Sequence, residues 1–221
     1  MEPPPVEEEK KDSSGIYFVL EKAHLELGKV GKTYQLLNSD DHANFIKRQK
    51  KDPAEYRPDI LHQSLLAILD SPLNKSGRVK GIYVHTTKDV LISVNPTIRI
   101  PRTFRRFCGL IAQLLQKLSI RASNGPDKLM KVIKNPVTKY IPAGAKRVGL
   151  SFSAPEVKPL ATFVQCIEPD SSTVFVVGAM AHGKVEVTYV DNMMSVSQYP
   201  LSAACCLGKI CNALEAKYDI I

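Results

Sequence analysis

The chain is expected to fold as an α/β domain on a largely parallel sheet. Three observations carry this expectation. Strand-like and helix-like patterns interleave along the chain, some strand-like runs are almost wholly apolar, and several helix-like stretches open on proline. Taken in order, the apolar run Ile16–Leu20 predicts a first strand, and Ser39 or Asp40 suits the cap of a short helix reaching about Arg48. KRQKKDPAEY reads as a charged loop, with KRQKK a weak nuclear-import signal. Pro58 then opens a helix whose Ile60, Leu61, Ser64, Leu65, Ile68 and Leu69 follow helical spacing up to Pro72. Residues 81–87 and 90–94 read as two strands joined by a Lys-Asp turn.

Thr103 is placed to cap a long helix with Phe104, Phe107, Cys108, Ile111, Leu114, Leu115 and Leu118 on one stripe. NGPDKLMKVIKN predicts a short helix begun by Pro126. RVGLSFS (147–153) predicts a strand, and PEVKPLATFVQCI reads as helical despite Pro159. STVFVVGA (172–179) has the continuous apolar character of a buried strand. KVEVTYV alternates with period two and predicts another, before a final proline-opened helix over 200–218.

The 221 residues suit one domain, expected at 16–221, behind an acidic, proline-rich tail (1–15) that buries nothing and reads as disordered. That start lacks the basic and apolar regions of a signal peptide, and no apolar run spans a bilayer, so the protein is expected inside the cell with no membrane partner. Five cysteines without CxxC or His/Cys ligand spacing argue against a disulfide framework and against a metal site, and Cys205-Cys206 read as small buried residues.

Charge is segregated. The tail carries −3 of the net +8, leaving +11 for the rest. Between Asp89 and Glu156 twelve Lys and Arg stand against Asp127 alone. Such a stretch points to an anionic partner, and nucleic acid fits better than a membrane because no basic amphipathic helix carries large aromatics. Arg99, Arg102, Arg105 and Arg106 crowd the start of the long helix, the wrong end of its dipole for cations, so they read as a phosphate clamp. The alternative is a solvated basic surface, or pairing with distant acids. Arg57, two residues from Asp59, reads as a positioned guanidinium.

GAMAHGK (178–184) matches seven of the eight positions of a phosphate-binding P-loop. The eighth is Val185, which offers no hydroxyl for Mg²⁺, and a strand pattern rather than a helix follows, so an NTPase is rejected. Gly178 and Gly183 instead suggest a loop whose backbone approaches a flat ligand, with VSQYPLS (196–202) as a second ligand segment.

Together, FVLEKAHLELGKVGKTYQLLN, YRPDILHQSLLAILDSPLNKSG, RIPRTFRRFCGLIAQLLQKLSIRASNGPDKLMKVIKNPV, VFVVGAMAHGK and SQYPLSAA resemble the eukaryotic ribosome-biogenesis methyltransferases that act on N1 of a pseudouridine in small-subunit ribosomal RNA. The resemblance runs from about residue 16 to the C-terminus. It implies a SPOUT-type domain with a C-terminal trefoil knot, S-adenosyl-L-methionine as cofactor, a homodimer, action in pre-ribosomal particles, and a nuclear, nucleolar location. It also implies a basic RNA-binding insertion around 96–147. By matching position, the cofactor would contact Leu150, Gly178, Gly183, Val196, Ser197, Gln198, Tyr199, Pro200 and Leu201. Arg57, Arg99, Arg102 and Arg106 match the family's RNA-contacting arginines, and Asp59 its orienting carboxylate. Leu150 departs from the family's frequent threonine, so only a backbone contact would survive there. No residue is assigned as general base. A non-catalytic RNA-binding assembly factor is the rival reading, because the same arginines serve both.

Overall fold

The structure, a computed structural model, describes residues 14–122, 125–154 and 156–221. Thirteen residues of the expected tail lie outside them. Gly15 is already engaged, its carbonyl accepting from Thr173 N at 3.0 Å. The strands are β1 (Ile16–Ala23), β2 (Leu27–Val30), β3 (Thr33–Leu36), β4 (Val79–Thr86), β5 (Leu91–Val94), β6 (Ser119–Arg121), β7 (Lys128–Ile133), β8 (Lys146–Leu150), β9 (Thr173–Gly178) and β10 (Asn192–Met194). The helices are α1 (Ser39–Arg48), α2 (Pro58–Leu69), α3 (Pro72–Lys75), α4 (Phe104–Lys117), α5 (Leu160–Gln165) and α6 (Ala203–Lys217).

Eight strands form one sheet in the order β10-β8-β9-β1-β4-β5-β7-β6, and β2 and β3 form a separate hairpin. The five strands from β10 to β4 pair in parallel, and β5, β7 and β6 continue the sheet antiparallel. Central strands β1 and β9 are apolar on both faces because both faces are covered. Phe18, Leu20, Phe175 and Val177 meet side chains of α2, α4, α5 and α6. Tyr17, Val19, Val174 and Val176 meet residues of the 137–145 and 180–193 segments. The basic stretch 96–147 shares the main core through Phe107, Ile111, Leu114 and Met130. Truncating Phe107 to alanine would cost about 3–5 kcal/mol.

Several elements differ from expectation. Residues 128–133 form a strand, since β5 presents a free edge and Met130 aligns with Val94; the edge overrides an ambiguous local pattern. Residues 184–190 form no strand; β9 has β8 and β1 on its two sides, and the outer side of β8 is taken by β10 instead. Their alternation persists as packing, with Val185, Val187 and Tyr189 against the loop-covered face. Among the described residues of the expected 155–167 helix, only Leu160–Gln165 are helical, with Pro159 at the N-cap, while Val157 bridges Ser195. Asn38, not Ser39 or Asp40, caps α1 by accepting from Asp41 N at 2.8 Å. Ser202 caps α6, which begins at Ala203 rather than at Pro200. Cys206 is buried as expected, but Cys205 is exposed.

Candidate functional site

Parallel strands deliver their carboxyl ends to one rim of the sheet, where connecting loops leave room for a ligand. Here Leu150–Phe152 after β8, Val177–Val185 at the end of β9, and much of 195–206 beyond β10 surround a cleft of about 610 Å³. Arg57, Ile60 and Gln63 from the start of α2 close another side. Of the nine residues matched to the cofactor, eight line this cleft and Gln198 does not. Ile60, Gln63, Phe152, Met180, His182, Lys184 and Ser195 were not foreseen. Met180, His182 and Lys184 carried a signal, as members of the GAMAHGK stretch read as a ligand loop.

The two glycines serve the loop's own geometry. A Cβ on Gly178 would lie 2.8 Å from Met180 Cε and 3.0 Å from Val185 Cγ2, and Gly183 has φ +103°, a region glycine favours. Both also line the cleft, where the missing Cβ leaves their backbone open to it. Opposite, the 195–202 segment is held by its own hydroxyls. Ser195 Oγ donates to Ser197 O at 2.7 Å, and Tyr199 N donates to Ser197 Oγ at 3.0 Å. Ser195 N also bonds Glu156 O at 2.8 Å, so residues 192–195, which lead into this segment, run between β8 and the 156–158 stretch. Phe152 and Tyr199, 58% and 74% exposed, stand at the mouth. Among the described residues no acidic side chain lines the cleft, whereas Arg57, His182 and Lys184 do.

Arg57 is fixed as the Arg-Asp spacing anticipated. Its Nε donates to Asp59 Oδ1 at 2.8 Å and Nη2 to Oδ2 at 2.7 Å. The helix start at Pro58 places Asp59 in the first turn, where a carboxylate suits the dipole. The remaining arginines lie apart from the cleft. Arg99 and Arg102 line a second groove of about 930 Å³ with Asp70, Lys75 and Lys80, and Arg106 lines neither. Arg102 is paired, Nη1 to Asp70 Oδ2 at 2.9 Å and Nη2 to Oδ1 at 3.1 Å, so the distant-acid alternative holds for this one residue. Arg99, Arg105 and Arg106 have no ion-pair partner among the described residues.

Helix α2 links the two regions. Buried His62 donates from Nε2 to Pro101 O at 2.7 Å and stacks on Phe107, with ring centroids 4.4 Å apart. The backbone between Arg99 and Arg102 is thus tied to the helix that begins at Arg57. Nothing in the sequence pattern singled out His62. Thr103 is the N-cap of α4 but makes no side-chain cap bond there. Among the described residues no group of three or more His, Cys, Asp or Glu is placed to hold a metal ion.

Fold and cleft define an α/β protein with a small-molecule site at the carboxyl rim of a parallel sheet, opening beside cationic surface. More specifically, the chain belongs to the EMG1/NEP1 methyltransferase family, whose family model matches residues 18–215. It is 55% identical over 206 residues to the Homo sapiens ribosomal RNA small subunit methyltransferase NEP1, covering 93% of this chain and 83% of that one. The Caenorhabditis elegans counterpart is 49% identical over 211 residues, covering 96% and 90%. The fold is similar to that of Archaeoglobus fulgidus Nep1 bound to S-adenosylhomocysteine, with a TM-score of 0.73 at 22% identity over 93% of this chain and 99% of that one.

Proposed function

We propose that this chain is an S-adenosylmethionine-dependent methyltransferase of small-subunit ribosomal RNA, acting in ribosome biogenesis. The observation that carries this reading is the convergence of Leu150, Gly178, Gly183 and the 196–201 segment on one cleft with Arg57 at its edge. The cleft fits the cofactor. Its volume of about 610 Å³ falls within the range of small-ligand sites, Leu150, Val196 and Leu201 offer an apolar wall to an adenine, and Ser151, Ser195, Ser197 and Ser202 offer hydroxyls to a ribose. Bound there, S-adenosylmethionine supplies an electrophilic methyl group for an incoming ring nitrogen.

The protein's contribution is orientation. Asp59 fixes Arg57 so that its guanidinium holds an RNA phosphate or base edge at the cleft, without having to order a free side chain during the reaction. Asp59 is an orienting group here: both its oxygens already accept from Arg57. Arg99, Arg102 and Arg106 bind the flanking RNA backbone, and the lysines between 128 and 146 add sequence-independent, salt-sensitive affinity.

The finer expectations belong to the same proposal. The acceptor is N1 of a pseudouridine, flipped out to reach the cleft. Two copies associate through α6, where Ala203, Ala204 and Gly208 are small and only half-buried. The C-terminal segment is threaded as a trefoil knot, a reading supported by its course between β8 and residues 156–158. The protein works on pre-ribosomal particles in the nucleolus. The test is mass spectrometry of small-subunit RNA after incubation with the protein and methyl-labelled S-adenosylmethionine. Label on a single pseudouridine supports the proposal. RNA binding without S-adenosylmethionine binding or label supports the assembly-factor reading instead.

A further inference from the structure

Residues 179–190 cross from β9 to β10 with no sheet partner, yet they form one wall of the cleft. They are held from β1. At the loop's start, Ala179 N donates to Glu21 O at 2.7 Å. At its end, Tyr189 Oη donates to Glu21 Oε1 at 2.6 Å. Between them, Lys22 Nζ donates to Lys184 O at 2.9 Å. Lys22 has φ +58°, at a break in the pairing register of β1 with β4, so the strand is bent where it reaches the loop. One residue, Glu21, thus grips both ends of the ligand loop, its backbone holding one and its carboxylate the other.

That carboxylate is only 3% exposed, and a buried charge needs a partner. His85 on β4 provides it, with Nδ1 2.8 Å from Glu21 Oε2 and Nε2 2.9 Å from Asp89 Oδ1. With both carboxylates ionised, their oxygens only accept, and this geometry then calls for a proton on each ring nitrogen, an imidazolium. Asp89 is itself held by Asn135 Nδ2 at 2.8 Å. The groups facing this cluster are Glu21 from β1, Asp89 from the β4–β5 turn and Tyr189 from the loop, with Asn135 a neutral donor. Burial lowers the affinity of His85 for its proton, but the bonds to Asp89 and Glu21 outweigh this and raise its pKa above the ordinary 6.5.

We propose that Glu21 is a positioning residue for the methyl-donor site, strapping both ends of the 179–190 loop, and that the His85 imidazolium holds the strap in place. The assignment rests on the methyltransferase reading only for the identity of the ligand. The strap is present while His85 is protonated, and it loosens as pH rises through the raised imidazole pKa, because neutral His85 then turns a lone pair toward one of two carboxylates.

Two full-length variants test it, with S-adenosylhomocysteine titrated by calorimetry and backbone hydrogen exchange followed over 179–190. Tyr189→Phe removes one hydroxyl and keeps the ring. It is expected to weaken ligand binding about tenfold and to speed exchange in the loop, while RNA affinity holds. Glu21→Gln keeps an acceptor for Tyr189 and gives a neutral His85 a donor at Nδ1, freeing Nε2–H for Asp89. Its ligand affinity is expected to lose the decline with rising pH that the proposal assigns to the parent. Unchanged affinity and exchange in Tyr189→Phe would overturn the proposal, as would a parental pH profile in Glu21→Gln. If the parent binds no S-adenosylhomocysteine, the methyltransferase reading fails. Loop exchange in Tyr189→Phe against the parent then still decides the strap.

Discussion

Arg57 and Asp59 face each other across Pro58 through two parallel hydrogen bonds of 2.8 and 2.7 Å, so the guanidinium at the cleft edge has its direction set before any ligand arrives. The pair is half-exposed, and its direct worth to stability is at most about 1 kcal/mol. Asp59→Ala should therefore leave the melting temperature and S-adenosylhomocysteine affinity almost unchanged. Methylation of RNA should fall about tenfold, as expected when a positioning contact is lost. Single-turnover methylation beside calorimetry checks this, and undiminished turnover would remove Arg57 from the reaction.

Arg102 is paired with Asp70, the acid an RNA phosphate would have to compete with in the proposed complex. Arg102→Ala should weaken RNA binding and reduce the salt slope by about one, with no change at the cleft. Asp70→Asn should do the reverse and tighten RNA binding, because it removes the competing carboxylate. RNA titrations across a salt series decide both. Weaker binding in Asp70→Asn would mean that the acid aims Arg102 rather than occupying it.

Gly183 and Gly144 both have positive φ, at +103° and +76°, but only Gly183 lines the cleft. Alanine at either should cost about 1–2 kcal/mol of stability. Only Gly183→Ala should also weaken S-adenosylhomocysteine binding, by about tenfold. Equal ligand affinity in the two variants would separate the loop's shape from its function.

Glu26 is one carboxylate through which the fold should be sensitive to acid. Burial pushes its pKa up, but bonds from Lys51 at 2.6 Å and Tyr56 at 2.9 Å, with Lys88 at 3.1 Å, prevail and hold it at about 2, below the ordinary 4.5. A depressed carboxyl stabilises above its unfolded pKa and loses that contribution as pH falls from 4.5 toward 2. Because both lysines are largely exposed, about 1 kcal/mol is at stake. Urea unfolding of Glu26→Gln between those limits should show a shallower acid decline than the parent.

Patterns that close within one element were legible. The α2 stripe, the α4 stripe up to Leu115, the two strands around the Lys88-Asp89 turn and the apolar β9 lie where periodicity puts them; Leu118, expected on the α4 stripe, is instead the left-handed, exposed residue that ends the helix. Two stretches defeated it, for the same reason. Whether 128–133 or 184–190 becomes a strand depends on which sheet edges are vacant, and no local window records that. The β2–β3 hairpin was left unassigned despite Gly31 at its turn. At the site, three separated segments converge as their resemblance to the family implied, Gln198 apart. A second reason for Gly178, the demands of Met180 and Val185 on its space, exists only in three dimensions. The Arg102–Asp70 pair, the His62–Pro101 tie and the Glu21 strap join distant residues, and nothing in one sequence couples them.

β4 pairs in parallel with β1 and antiparallel with β5, and so is the seam between the ligand-holding and the cation-bearing halves of the sheet. An inherited change at fully buried Ile82 or Val84 would spare neither half. In a cell it would register as scarcity of the whole protein, degraded for want of folding stability, rather than as a selective loss of one activity.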